Sequence, residues 1–286
     1  MFNGKSTLAL IPAHVGKEPV LRKNLVEVAG IPLLAWTISQ ARSSSFVDAV
    51  VVMTEDPDVA AVARQWGAEV PLNSMGQRDA SASRDAQGLI WALDELARQG
   101  RSFDYVAVLE PTSPLRAPGD IDRAIQILDA EAGEVAGVVS VGEIHHEHPD
   151  LVKRVSAGRV VPYARHANAT QGAPLDRAYY PYGHVYLTRV DILRETGGFF
   201  HELMAPMFVE RWQCYDITDF YDLLCVESIL RYLQAAQEQA TEAVAATEDP
   251  AAAEADANAE PAVETPPADA AGGFAPAKGT GVPEVR

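Results

Sequence analysis

The run Tyr105-Val106-Ala107-Val108-Leu109 passes without a break into Glu110-Pro111-Thr112-Ser113-Pro114-Leu115-Arg116. An unbroken apolar run of this length fits a strand covered on both faces, as in a parallel sheet. The segment from Glu110 to Arg116 can be neither strand nor helix interior, because Pro111 and Pro114 remove backbone donors and fix φ. A stiff, hydroxyl-bearing connection therefore stands at the C-terminal end of a central strand, the edge where open α/β sheets bind ligands. Arg116 is suited to neutralise a carboxylate or phosphate there. A plain strand-to-helix turn is the other reading of the same residues.

The pattern repeats along the chain. Thr7–Ile11, Ala49–Met53 and Val135–Val141 are further apolar strands, and His184–Leu187 resumes the sheet. Helices are expected from Ile31 to Ile38 with Pro32 in the first turn, from Asp56-Pro57 to about Trp66, and through Leu89–Leu93. Two more are expected from Asp120 to Asp129 and from Asp219 to Gln234. Alternating strands and helices predict an α/β fold, doubly wound around a mostly parallel sheet. Residues 142–183 break the alternation with many His, Tyr, Arg and Pro residues, and read as an inserted arm.

Composition divides the chain near Ala235. Beyond it stand ten acids against Lys278 and Arg286, so this part carries −8 of the net −17 and leaves −9 on residues 1–235. Ala, Glu, Pro, Asp and Thr dominate there, and too few large apolar residues occur to offset the entropy of ordering. Residues 1–235 are therefore expected to form the α/β domain, and 236–286 a disordered acidic tail. The acidity argues against a nucleic-acid partner. No apolar stretch is long enough to span a bilayer, and the N-terminus lacks the apolar core of a secretion signal. The expectation is a cytoplasmic protein with no membrane partner. Cys214 and Cys225 both have apolar neighbours and are expected to be buried free thiols.

The connection after the first strand reads Ile11-Pro12-Ala13-His14-Val15-Gly16-Lys17-Glu18-Pro19-Val20-Leu21-Arg22-Lys23-Asn24-Leu25. Three cations and an Asn at a strand's C-terminal end can hold a polyphosphate, although a solvated basic loop has the same composition. This stretch resembles, without a gap, the IPARGGSKGIPRKNL signature of the cytidylyltransferases that activate acidic sugars, the acylneuraminate, Kdo, legionaminate and pseudaminate enzymes. Further likenesses come in the family's order. Met53-Thr54-Glu55-Asp56 is similar to S-T-D-D, and Trp66 to Pro71 to Y-G-A-E-V-P. Pro111 to Arg116 equals P-T-S-P-L-R. Ile144-His145-His146 with Pro149 is similar to V-P-H-H-P, and Gly198-Phe199-Phe200 and Asp216-Ile217 match G-F-F and D-I-D.

The resemblance implies a Rossmann-like nucleotide-diphospho-sugar transferase fold. It implies transfer of CMP from CTP to the anomeric hydroxyl of an acidic 2-keto sugar, with Mg²⁺ as cofactor and a homodimer joined through the arm. Lys17, Arg22 and Lys23 would hold the triphosphate and, with Asp216, carry catalysis. Ala13, His14, Asn24, Thr112 and Ser113 would complete the nucleotide side. Glu110, Arg116, Tyr182, His184, Phe199 and Phe200 would face the sugar, although core packing serves the two phenylalanines as well. Asp216 and Asp219 would hold the metal, and a helix N-cap is the other reading of each. His145, His146 and His148 fall in a structural segment near the arm.

The chain departs from the pattern at His14, Lys17, Glu18, Leu21, Glu110, Tyr182 and Thr218. These departures leave a second reading: a nucleotide- or sugar-binding protein on the same fold that has lost the reaction.

Overall fold

A computed structural model describes residues 1–14, 22–72, 86–131, 133–144, 147–163 and 175–248. Strand β1 (Thr7–Pro12) leads to a short 3-10 turn (Lys23–Leu25) and a small hairpin, β2 (Glu27–Val28) and β3 (Ile31–Pro32). Then come α1 (Leu33–Ser43), β4 (Ala49–Met53), α2 (Pro57–Gln65), α3 (Ala86–Arg98), β5 (Tyr105–Val108) and α4 (Asp120–Ala130). Strand β6 (Gly137–Ile144) precedes a second hairpin, β7 (Lys153–Ser156) and β8 (Arg159–Pro162). The chain closes with β9 (Ala178–Arg189), α5 (Val190–Thr196), β10 (Met204–Phe208), a 3-10 turn (Arg211–Gln213) and α6 (Phe220–Glu248).

Six strands form the main sheet in the order β10-β6-β9-β5-β1-β4. β1 pairs parallel with β4 and β5, and β6 with β10, whereas β9 is antiparallel to both β5 and β6. The sequence distinguishes no direction for β9, because its buried run Gly183–Thr188 reads the same either way. Its direction follows from the arm. The chain leaves β6 and returns at the same edge, so it must run back down the sheet.

The apolar runs are continuous because both faces are covered. Side chains alternate along β1: Ala9 and Ile11 pack with Leu34 and Ile38 of α1 and Ile121 and Ile125 of α4. Leu8 and Leu10 pack on the other face with Leu89, Leu93 and Leu96 of α3. Each such leucine or isoleucine contributes about 1.5–3 kcal/mol on burial. A third cluster joins Leu115 and Ile217 to Val28 and Leu33 and to Leu223, Val226 and Leu230 of α6. It fixes the connections on either side of the candidate site.

Several local expectations shift. Pro32 ends β3 and occupies the N-cap of α1 rather than its first turn. Pro57 opens α2 behind the Asp56 cap, as read from the sequence. The arm is shorter than 142–183, because β6 runs to Ile144 and β9 begins at Ala178. Cys214 is buried but Cys225 is exposed. Its neighbours Leu223 and Val226 turn toward the third cluster, which leaves Cys225 on the solvent side of α6.

Two compact units divide at Ala235. In the second, α6 continues to Glu248, so the start of the acidic segment is helical. The disorder expected for 249–286 concerns residues outside those described. Among the described residues, no helix is long and apolar enough to cross a membrane.

Candidate active site

Part of the set singled out by sequence, Ala13, His14, Asn24, Ser113 and Asp216, gathers at the carboxyl edge of the sheet. Ala13 follows β1 and donates its N–H to the Met53 carbonyl at the end of β4, 2.8 Å away. His14 is next, with its side chain 7% exposed and Nδ1 2.7 Å from Glu55 Oε2. Asn24 is buried and its Nδ2 donates to the His14 carbonyl at 3.3 Å. The half-buried Lys23 precedes it in the 3-10 turn. Lys17 lies outside the described residues, as do Glu18 and Leu21.

Arg22 is already paired with two carboxylates. Its Nη2 donates to both Asp56 oxygens at 3.0 Å and to Asp58 Oδ2 at 2.6 Å. These carboxylates raise the guanidinium pKa, with the Asp58 hydrogen bond the largest cause. The assignment of Arg22 to the triphosphate is thus at odds with its surroundings. Sequence pattern marks Asp56 as a helix cap and as the last residue of the S-T-D-D-like element, and does not mark Asp58. Their pairing depends on how close β1 and β4 run.

On the other side of β1 the Pro-Thr-Ser-Pro connection folds over the end of β5. Ser113 is fully buried, its N–H donates to the Glu110 carbonyl, and its Oγ donates to Asp216 Oδ1 at 3.3 Å. The carbonyl of the half-buried Thr112 accepts the Ile217 N–H at 2.8 Å. These bonds bring Asp216 to the site from far along the chain. Asp219 is exposed, and its Oδ1 accepts the N–H groups of Tyr221 and Asp222. It is the cap of α6, not a partner of Asp216. Among the described residues no three His, Cys, Asp or Glu side chains cluster to hold a metal. A half-buried carboxylate such as Asp216 suits Mg²⁺, which takes one or two carboxylates and completes its shell with phosphates and water.

Arg116 corrects a second expectation. It is 5% exposed and makes one bond for each of its five N–H groups. The acceptors are the carbonyls of His184 (2.6 Å), Glu110 (2.8 Å) and Gly183 (3.1 Å), with Thr37 Oγ1 and Gln40 Oε1 at 3.0 Å. Burial pushes its pKa down to about 9 and the charges of Glu110, Asp120 and Asp216 pull it back up. This guanidinium is a staple between β5, β9 and α1, with no donor left for a sugar carboxylate. Thr37 and Gln40 sit in an ordinary helical pattern and gave no signal of this.

His184 is also removed from the sugar side. It is fully buried, and neither ring nitrogen makes a well-formed hydrogen bond among the described residues. Burial and then the Arg116 charge bring its pKa down to about 3, against a weaker upward pull from the nearby backbone of Gln213 and Leu115. Tyr182 remains half-buried with its ring 5.0 Å from that of Tyr180, and burial pushes its pKa up to about 12. Glu110 is buried against β9, where a Cβ at Gly183 would come within 2.4 Å of Glu110 Oε2. Only glycine permits that approach. Phe199 is a core residue, its ring 6.2 Å from that of Tyr186, while Phe200 is exposed beside the same tyrosine. His148 Nε2 bonds the Asp176 carbonyl at 2.8 Å, and His145 and His146 are outside the described residues.

A family described as cytidylyltransferase matches residues 8–189, which carry all of β1 but Thr7, the Pro-Thr-Ser-Pro connection and the whole of β9. The chain belongs to this family. The CMP-N,N'-diacetyllegionaminic acid synthase of Legionella pneumophila is 30% identical over 233 residues, covering 80% of this chain and 98% of that one. N-acylneuraminate cytidylyltransferase A of Danio rerio is also 30% identical, over 52% of this chain and 33% of its own length. Among solved structures, a CMP:2-keto-3-deoxy-manno-octonic acid synthetase complexed with CTP superposes with a TM-score of 0.56 at 16% identity, over 79% of this chain and 99% of that one. That likeness carries the family's fold.

Proposed function

We propose that the protein transfers CMP from CTP to the anomeric hydroxyl of an acidic 2-keto sugar of the nonulosonate or Kdo type. The observation that carries this is the convergence, on one sheet edge, of the β1 connection with the Ser113–Asp216 pair. In the reaction the hydroxyl gives up its proton as its oxygen bonds the α-phosphorus. Pyrophosphate leaves with the electron pair of the broken bond. Such a step needs orientation and charge neutralisation more than covalent help.

In this reading Ala13, His14 and Asn24 form the floor under the nucleotide. Lys23 and Lys17 supply positive charge, and Thr112 and Ser113 line the far side. Asp216 would hold Mg²⁺, whose part is to neutralise charge on the phosphate oxygens. Ser113 orients that carboxylate, and Tyr182 and Phe200 remain as candidates to meet the sugar. The reading includes a homodimer joined through the arm, in the cytoplasm. Val155, Val160 and Tyr163 are exposed on it, and Lys153, Arg154 and Arg159 would meet the acidic surface of a second copy. Sedimentation at micromolar concentration should give a dimer, and a monomer would count against this arrangement.

The departures at His14, Glu110 and Thr218, together with the commitment of Arg22 and Arg116 to the protein itself, favour the binding-protein reading as the alternative. Pyrophosphate release separates the two. CTP, Mg²⁺ and a panel of N-acetylneuraminate, legionaminate, pseudaminate and Kdo should yield pyrophosphate with at least one sugar. Binding of CTP without release for any acidic sugar would leave the alternative standing.

A further inference from the structure

Both ends of the connection that leaves β1 are fastened to one acidic stretch. At its start His14 meets Glu55, and at its end Arg22 bridges Asp56 and Asp58. These three acids lie between the end of β4 and the first turn of α2. Asp56 cannot swing away, because its Oδ1 accepts the N–H groups of Asp58 and Val59 as the cap of α2. Burial alone would raise its carboxyl, but those N–H groups and Arg22 together hold it below the usual range.

Arg22 itself has left-handed backbone, φ 54° and ψ 37°, a conformation that a non-glycine residue keeps only where its surroundings enforce it. Directly after it the Lys23–Leu25 turn begins, and Asn24 reaches back to the His14 carbonyl. For Arg22 to grip a phosphate it would have to abandon two carboxylates. Those carboxylates would then face the incoming triphosphate unscreened, like charge against like.

We infer that Arg22 is a positioning residue. By bridging Asp56 and Asp58 it sets the turn that presents Lys23 and Asn24 to the nucleotide, and it screens both carboxylates from the triphosphate. This rests on the CTP reading given above, with Arg22 moved from ligand to clasp.

The test uses the full chain with Arg22→Gly, Arg22→Ala, Arg22→Lys, Asp58→Asn and the double variant Arg22→Ala/Asp58→Asn. Glycine keeps the left-handed turn at no steric cost and loses the guanidinium, so it separates side chain from backbone. Arg22→Gly and Arg22→Ala should each raise KM for CTP by about tenfold, the loss of one charge-assisted arrangement. The sugar KM and kcat should stay within about twofold, and Arg22→Lys should recover part of the loss, since it keeps the charge without the fork. Asp58→Asn should also raise KM for CTP, and the double variant should be no worse than Arg22→Ala, because the two substitutions remove one shared contact. A lower KM in Asp58→Asn, or losses that multiply in the double variant, would overturn the inference in favour of a phosphate ligand.

A second readout needs no CTP. Amide hydrogen exchange at Leu25 and Val26, which bond the Arg22 and Lys23 carbonyls, should quicken about tenfold in Arg22→Gly and in Asp58→Asn. Unchanged exchange in both would end the clasp even in a protein that turns over CTP. Quickened exchange in a protein that never binds CTP would keep the clasp and end the cytidylyltransferase reading.

Discussion

Arg116 and Arg22 stand on either side of β1, and both looked like anion binders in sequence. Arg116 is 5% exposed and gives its donors to three carbonyls, a hydroxyl and an amide oxygen. The Arg22 side chain is 45% exposed and, among the described residues, bonds carboxylates. A buried guanidinium holding neutral acceptors is committed to the fold, because removing it strands every acceptor in a place water does not reach. A surface guanidinium holding carboxylates adds little to folding and can shape a loop instead. Burial, not residue type, separates the two walls of the site.

The sharpest way to break this comparison is Arg116→Ala. It leaves five acceptors unpaired between β5, β9 and α1, and should cost about 3–5 kcal/mol of folding stability. Chemical denaturation would report it. Arg116→Lys should recover little, since three donors cannot replace the planar fork. A loss no greater than that of Arg22→Ala would erase the distinction.

Asp216→Asn tests whether the Arg116 wall also carries chemistry. Turnover with CTP and Mg²⁺ should fall about a hundredfold or more, roughly 2.7 kcal/mol, with an unchanged melting temperature. Near-normal activity would remove Asp216 from the reaction.

A smaller effect separates the walls by pH. His184 lies beside Arg116 with a pKa of about 3, against 6.5 for an unperturbed histidine. Between those values the unfolded chain binds a proton that the folded one refuses, so its contribution is full above 6.5 and lost as pH falls toward 3. The slope is about 1.4 kcal/mol per pH unit for one proton. His184→Leu should therefore narrow the loss of stability between about pH 6.5 and 4.5, as measured by urea unfolding at each pH. Equal acid sensitivity in the two proteins would contradict the neutral buried imidazole.

The smallest expected effect belongs to neither wall. Ending the chain after Glu248 should shift the melting temperature by no more than a few degrees and leave CTP binding unchanged. A larger shift would show that residues 249–286 contribute to the rest of the protein.

The sequence revealed the frame and hid the partnerships. Thr7–Ile11, Ala49–Met53 and Tyr105–Leu109 were visible as strands because burial on both faces leaves no polar position to blur the run. Asp56-Pro57 was visible as a helix start because capping is local. The direction of β9 was hidden, since an apolar strand carries no record of its neighbours' polarity. Arg116, His184 and Phe199 were assigned to the sugar side by motif, yet their surroundings come from Thr37, Gly183 and Tyr186 on distant segments. The exposure of Cys225 turned on helical phase, which two apolar neighbours could not fix alone.

The paired residues Ile144 and Ala178 mark where the chain departs from the main sheet and where it rejoins it. Everything between them is attached through a base one residue pair wide. The number of residues in that excursion can change without altering the register of β6 against β9, because the pairing closes before the excursion begins. The base stands on the same edge as Asp216 and the β1 connection. Residues inserted into or removed from the excursion would thus lie beside the site while the pairing of the main sheet keeps its geometry.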